Sequence, residues 1–109
     1  GDTKMIKFLI ENGADINKEN EYGETPLFKA CINGNESVLK LLIENGTNIN
    51  KENEYGETPL FIACSNGNEN IVRFLIENGA IIDKENEDSE TPIFKATENG
   101  HKNIINYLI

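Results

Sequence analysis

No apolar run in these 109 residues is longer than five, from Leu60 to Cys64, and only 38% of the residues are hydrophobic. A helix that crosses a bilayer needs about 20 predominantly apolar residues in succession, so direct membrane insertion within this chain is excluded. The opening residues, GDTKMIKFLIENG, show no basic start, no long apolar stretch and no small-residue cleavage site, and do not read as a signal peptide. Basic residues are scarce: ten Lys and Arg against 19 Asp and Glu leave a net charge of −9. A chain so acidic has no general affinity for nucleic acid or anionic membrane. Cysteine is limited to Cys31 and Cys64 and histidine to His101. No phosphate-binding loop, nucleophile with its base, or paired catalytic carboxylates stand out, so the chain is not read as an enzyme and no cofactor is expected.

What the sequence does have is repetition. Residues 20–28 read NEYGETPLF, residues 53–61 repeat those nine letters, and residues 86–94 read NEDSETPIF. Thr25-Pro26, Thr58-Pro59 and Thr91-Pro92 set the period at 33. The charge follows the same period. Segments 17–24, 50–57 and 83–90 hold eleven acids and three lysines, which is −8 of the −9 in 24 residues. The 17 asparagines fall at repeat-related positions and form no tracts, as expected of an ordered framework.

Each period reads as two short helices and a polar connection. Thr25 can cap a helix through its side-chain oxygen, and Pro26 suits the first helical position, where its missing N–H would be unpaired anyway. Leu27, Phe28, Ala30 and Cys31 follow at helical spacing, and Asn33-Gly34 supplies a left-handed stop. A second helix starts near Asn35 and runs through Val38, Leu39, Leu41, Leu42 and Ile43 to Asn45-Gly46, with Glu36, Lys40 and Glu44 marking its wet side. Between Gly46 and Thr58 lies an extended polar stretch whose Gly56 suggests a tight turn. Neither helix is long enough to be stable alone; stacked units would bury each other's apolar sides.

This pattern resembles the ankyrin repeat, a 33-residue helix–turn–helix unit with the signature T-P-L-H-x-A. It appears as Thr25-Pro26-Leu27-Phe28-Lys29-Ala30, Thr58-Pro59-Leu60-Phe61-Ile62-Ala63 and Thr91-Pro92-Ile93-Phe94-Lys95-Ala96. The family's ending after the second helix resembles Gly13-Ala14-Asp15-Ile16-Asn17, Gly46-Thr47-Asn48-Ile49-Asn50 and Gly79-Ala80-Ile81-Ile82-Asp83. The resemblance implies an all-α solenoid of stacked helix–turn–helix units with projecting hairpin loops. One domain is expected over 1–109, divided into a partial repeat (1–16), two full repeats (17–49 and 50–82) and a truncated repeat (83–109). Gly1 would correspond to Gly34, Gly67 and Gly100, so the first unit lacks its first helix. Phe28, Phe61 and Phe94 replace the family's histidine, and all three rings are expected to pack between repeats.

Possible chemical sites resolve into structural ones. Cys31 and Cys64 are on equivalent first helices, roughly 8–10 Å apart and beyond disulfide reach, so they read as small buried apolar residues in a reducing compartment. His101 has no partners with which to bind a metal, and it reads as structural or solvated. The run DKENEDSE at 83–90 lacks the glycine and terminal Glu spacing of a calcium loop and reads as a solvated hairpin. Asn35-Glu36-Ser37 and Asn45-Gly46-Thr47 match a glycosylation sequon that an intracellular array would not use.

By resemblance, hairpin tips and the outward side of the first helices form a concave surface that grips protein partners. Those positions are Glu21, Tyr22, Glu24, Lys29, Ile32 and Asn33 in the first full repeat. They are Glu54, Tyr55, Glu57, Ile62, Ser65 and Asn66 in the second, and Glu87, Asp88, Glu90, Lys95, Glu98 and Asn99 in the third. The expected function is binding of a partner protein through a basic segment, in the cytoplasm. The alternative is a structural or regulatory spacer within a larger enzyme or channel. Two further expectations follow. Ser89, in place of the glycine at 23 and 56, should leave the third hairpin distorted or more mobile. Apolar residues at the ends (Met5, Phe8 and Leu9; Phe94, Ile104 and Tyr107) should promote end-to-end self-stacking.

Overall fold

The computed structural model describes residues 2–109; Gly1, counted above as equivalent to Gly34, lies outside them. Seven helices follow in order: α1 (Asp2–Glu11), α2 (Pro26–Asn33), α3 (Glu36–Glu44), α4 (Pro59–Asn66), α5 (Glu69–Glu77), α6 (Pro92–Glu98) and α7 (Lys102–Leu108). No strand occurs among the described residues. The molecule is elongated, 41 × 25 × 20 Å, because each pair of helices stacks on the next.

Local chemistry sets the helix starts. The hydroxyls of Thr25, Thr58 and Thr91 accept the N–H of Phe28, Phe61 and Phe94 at 3.4, 3.3 and 3.3 Å, each with proline at the first helical position. The second helices use asparagine instead: Asn35 and Asn68 accept from Val38 and Ile71, both at 3.2 Å. At α7 His101 holds that position and its side chain makes no cap bond.

First helices pack in one row, α2 on α4 on α6, and second helices in another, α1 on α3 on α5 on α7. The core lies between the rows. It contains Leu27, Ala30 and Cys31 of α2, Val38, Leu39 and Leu42 of α3, Leu60, Ala63 and Cys64 of α4, and Ile71, Val72 and Leu75 of α5, with Ala96 and Ile104 beyond them. Full burial of a Leu or Ile side chain stabilises by roughly 1.5–3 kcal/mol, which the short helices could not obtain singly.

Three expectations change. Phe28 and Phe61 are 1% and 2% exposed, but Phe94 is 47% exposed. The first helix of the next repeat packs on α2 and on α4, whereas none packs in this way on α6 among the described residues. Ile104, expected on the end face, is 1% exposed: it sits in the core with Ala96. The third hairpin is also not distorted. Ser89 itself takes the left-handed φ of 61° that Gly23 and Gly56 take at 76° and 75°, and the turn closes with the same bonds. Strain is confined to one residue's backbone.

Candidate functional site

Each hairpin is built around one asparagine. The Asn20 Oδ1 accepts the N–H of Tyr22 at 2.9 Å and of Glu24 at 3.0 Å, while its Nδ2 donates to Glu24 Oε1 at 2.9 Å. Asn53 repeats this with Tyr55 and Glu57, and Asn86 with Asp88 and Glu90, all at 2.9–3.0 Å. Adjacent hairpins are then tied together. The N–H of Glu54 donates to the Tyr22 carbonyl and that of Glu87 to the Tyr55 carbonyl, each at 3.0 Å. Lys51 pairs with Glu19, and Lys84 Nζ lies 2.7 Å from Glu52 Oε1. Nearer the second-helix ends, Asn17 accepts the Asn48 N–H and Asn50 the Ile81 N–H, both at 2.8 Å.

These bonds divide the candidate surface into two sets. Glu24, Glu57 and Glu90 close their own turns; Glu24 also lies 3.6 Å from Lys29, and Glu90 3.5 Å from Lys95. Lys95 is held further by Glu98 at 2.8 Å, and that bond pushes its pKa up against slight desolvation. Asn66 donates to the carbonyls of Cys31 and Ile32 at 3.4 Å, and Asn99 to that of Ser65 at 2.9 Å, so both join first helices of adjacent repeats. Asn33 is exposed at the matching position of α2.

The remaining residues point outward without such duties. Tyr22 and Tyr55 are 50% and 54% exposed, Ile32 is exposed and Ile62 half-buried. Glu21, Glu54, Glu87 and Asp88 at the tips are exposed and form no ion pair among the described residues. The hydrogen bond with Glu54, reinforced by its negative charge, raises the Tyr55 pKa; Tyr22 lies near enough to act in the same direction.

The residues considered for chemistry are occupied by structure. Cys31 and Cys64 are buried free thiols, each pushed from 9.0 to about 12 by desolvation, so neither is a nucleophile near neutral pH. The His101 Nε2 lies 3.0 Å from the Ser65 carbonyl oxygen, and a Cβ added to Gly67 would come within 2.5 Å of the imidazole. An open groove of about 380 Å³ beside it is lined by Glu69, Lys102 and Asn103, without a second histidine or a thiol. No group of three His, Cys, Asp or Glu able to hold a metal occurs among the described residues, nor does any helix long and apolar enough to cross a membrane.

Contacts along the second helices were not expected. The Lys40 ammonium stands 5.5 Å from the Phe74 ring centroid, and the Arg73 guanidinium 4.8 Å from that of Tyr107. Both pairs have the same spacing, so aligning one repeat beneath the next would have revealed them.

A model of the ankyrin repeats, in three copies, matches residues 1–86 and 38–109, together the whole chain. The chain belongs to the ankyrin-repeat family. Among curated relatives, an ankyrin repeat protein of Fowlpox virus (strain NVSL) is 55% identical over 29 residues, 27% of this chain and 11% of that protein. One of Acanthamoeba polyphaga mimivirus is 59% identical over 27 residues, 25% of this chain and 21% of that protein. The aligned segments thus span about a tenth and a fifth of those relatives. Ankyrin repeats generally act as protein–protein interaction modules and are typically not catalytic.

Proposed function

We propose that this ankyrin array binds a partner protein on the side formed by its hairpin tips and first helices, and that the partner contributes a basic segment. The observation that carries the reading is the contrast among the acids: Glu24, Glu57 and Glu90 serve the turns, whereas Glu21, Glu54, Glu87 and Asp88 stand exposed at the tips of the hairpins that also carry exposed Tyr22 and Tyr55, and form no ion pair among the described residues. Tyrosine is a frequent anchor at protein interfaces, and complementary charge chiefly raises association rate and selectivity. Both thiols are buried and reduced, which suits a reducing compartment, and we place the function in the cytoplasm.

The deciding experiment is capture of partners by the intact chain, repeated after Glu21→Lys, Glu54→Lys and Glu87→Lys. Partners should be lost on reversal, and association should slow as salt rises. Capture indifferent to both would refute a basic partner.

End-to-end association is proposed as a second, weaker contact. Met5, Phe8 and Leu9 of α1 are exposed at one end, and Phe94 and Tyr107 at the other. Such a contact is heterologous and would propagate instead of closing. Sedimentation at millimolar concentration should show mass growth that Phe94→Asp suppresses; a strict monomer would exclude it.

A further inference from the structure

The tip tyrosines form a row whose pitch is set by the stack. Tyr22 and Tyr55 hold equivalent positions on consecutive hairpins, and the Glu54 N–H bound to the Tyr22 carbonyl at 3.0 Å keeps those hairpins in register. The helices beneath, α2 and α4, pack directly, and helices packed in this way stand roughly 8–10 Å apart, which we take as the pitch of the row. At the third position Asp88 replaces the ring, beside Glu87. The row therefore has two aromatic rungs and then an anionic one.

Four lysines on this side are engaged by other carboxylates. Lys29 and Lys95, the first-helix lysines on this side, lie within 3.6 Å of Glu24 and 3.5 Å of Glu90. Lys51 and Lys84 are paired between hairpins. The rings are left half exposed and bordered by carboxylates, a setting that attracts a cation to an aromatic face. This chain places cations against rings elsewhere, at Lys40 with Phe74 and Arg73 with Tyr107.

The pitch then selects the conformation of what binds. In a β-strand, side chains on one side recur at about 6.8 or 13.6 Å, from a rise near 3.4 Å and a period of two, and both miss the row. A polyproline II segment has three residues per turn and rises about 3.1 Å per residue, so side chains on one side recur every 9.3 Å or so. An α-helix matches only at every seventh residue, about 10.5 Å. A helix also needs a broad apolar stripe, with anchors at i, i+3, i+4 and i+7. The apolar side chains available here are Tyr22, Ile32, Tyr55 and half-buried Ile62, a strip bordered by carboxylates.

Resting on the proposed binding of a basic segment, we infer that the partner lies along the hairpin tips as a polyproline II strand with Lys or Arg at every third residue. Two cations cover Tyr22 and Tyr55, and the third meets Glu87 and Asp88. The strand's direction is left to the neighbouring side chains.

The test uses the intact chain and three labelled peptides of equal length and net charge, each with three arginines, followed by fluorescence anisotropy. One peptide, proline-containing, spaces the arginines at i, i+3 and i+6; one clusters them; one, stapled as a helix, spaces them at i, i+7 and i+14. The first should bind tightest. Tyr22→Leu and Tyr55→Leu should each weaken it about two- to fivefold, and Tyr55→Phe should restore most of the loss, because the ring face and not the hydroxyl is used. Circular dichroism confirms that each variant is folded. Equal binding of all three peptides, insensitive to leucine at 22 and 55 but abolished by Glu21→Lys, Glu54→Lys and Glu87→Lys, would overturn the every-third-residue register and leave the basic-partner reading standing. Tightest binding of the helical peptide would overturn it likewise. Binding of none would remove both.

Discussion

The backbone N–H of Glu87 donates to the carbonyl of Tyr55 at 3.0 Å, and this bond brings the third hairpin hard against Gly56. A Cβ built on Gly56 would lie 3.1 Å from that same nitrogen; on Gly23, 3.0 Å from the nitrogen of Glu54. Glycine is needed at both positions twice over, for positive φ and for the approach of the next hairpin. At Ser89 the left-handed backbone remains, but no hairpin lies over the side chain in this structure.

That difference predicts unequal exchange. Ser89→Gly should stabilise by roughly 1 kcal/mol, the cost of a left-handed non-glycine residue. Gly56→Ser should destabilise by about 1–2 kcal/mol or more, since conformational strain and crowding against Glu87 act together. Urea titrations of the two variants measure both; equal and opposite shifts would show that crowding is negligible.

The phenylalanines should divide the same way. Phe61→Ala should cost about 3–5 kcal/mol, as for other buried Phe truncations, whereas Phe94→Ala should cost well under half as much. Comparable losses in thermal or urea unfolding would mean that Phe94 is covered in solution, which mass measurements would then reveal as self-association.

Asn53 closes its turn with three bonds, two accepted and one donated to Glu57. Asn53→Ala should destabilise by about 2 kcal/mol, less than three full bonds because water reaches the freed N–H groups. Unchanged stability would show that the turn is held by its neighbours alone.

Stability should fall as pH rises past the ordinary thiol range. Burial raises Cys31 and Cys64 from 9.0 to about 12 in the folded chain, so the unfolded state releases its thiol protons first. Their contribution is complete below pH 9 and lost progressively towards 12. Tyr55, raised by Glu54, and Lys95, raised by Glu98, add slopes of the same sign. Subtracting the urea midpoints of a Cys31→Ala/Cys64→Ala variant between pH 7.5 and 10.5 isolates the thiols. A variant as pH-sensitive as the parent would refute the assignment.

Much of the fold was legible because its signals are local. Threonine caps, proline at the first helical position and asparagine-glycine stops each act within a few residues, and the helices begin and end where they act. What was misread depended on neighbours one repeat away. Phe94 follows the same Glu-Thr-Pro start as Phe61, but no further first helix packs on α6 among the described residues, and Ile104 lies in the core with Ala96. Ser89 was expected to distort its turn, yet Asn86 holds the turn with the same bonds that Asn20 and Asn53 make. At the candidate surface the pattern gives a set of positions but not their separate duties. Glu24 and Glu21 look alike in sequence, and only geometry shows that one closes a turn while the other is free of it.

The two sides of the stack are joined unequally, and this gives the molecule a preferred way to bend. Along the helices, Leu, Ile and Phe side chains fill every junction between full repeats; along the hairpins, a junction has one backbone bond, one lysine–glutamate pair and an asparagine bridge. Close-packed cores resist compression, whereas exposed polar links stretch and re-form in water. The helical side therefore acts as the stiff spine of a leaf spring and the hairpins as its opening edge. A partner drawn along the tips meets a row that can widen or tighten around it without disturbing the spine, and amide exchange at Glu54 and Glu87 should outpace that at Leu42 and Leu75.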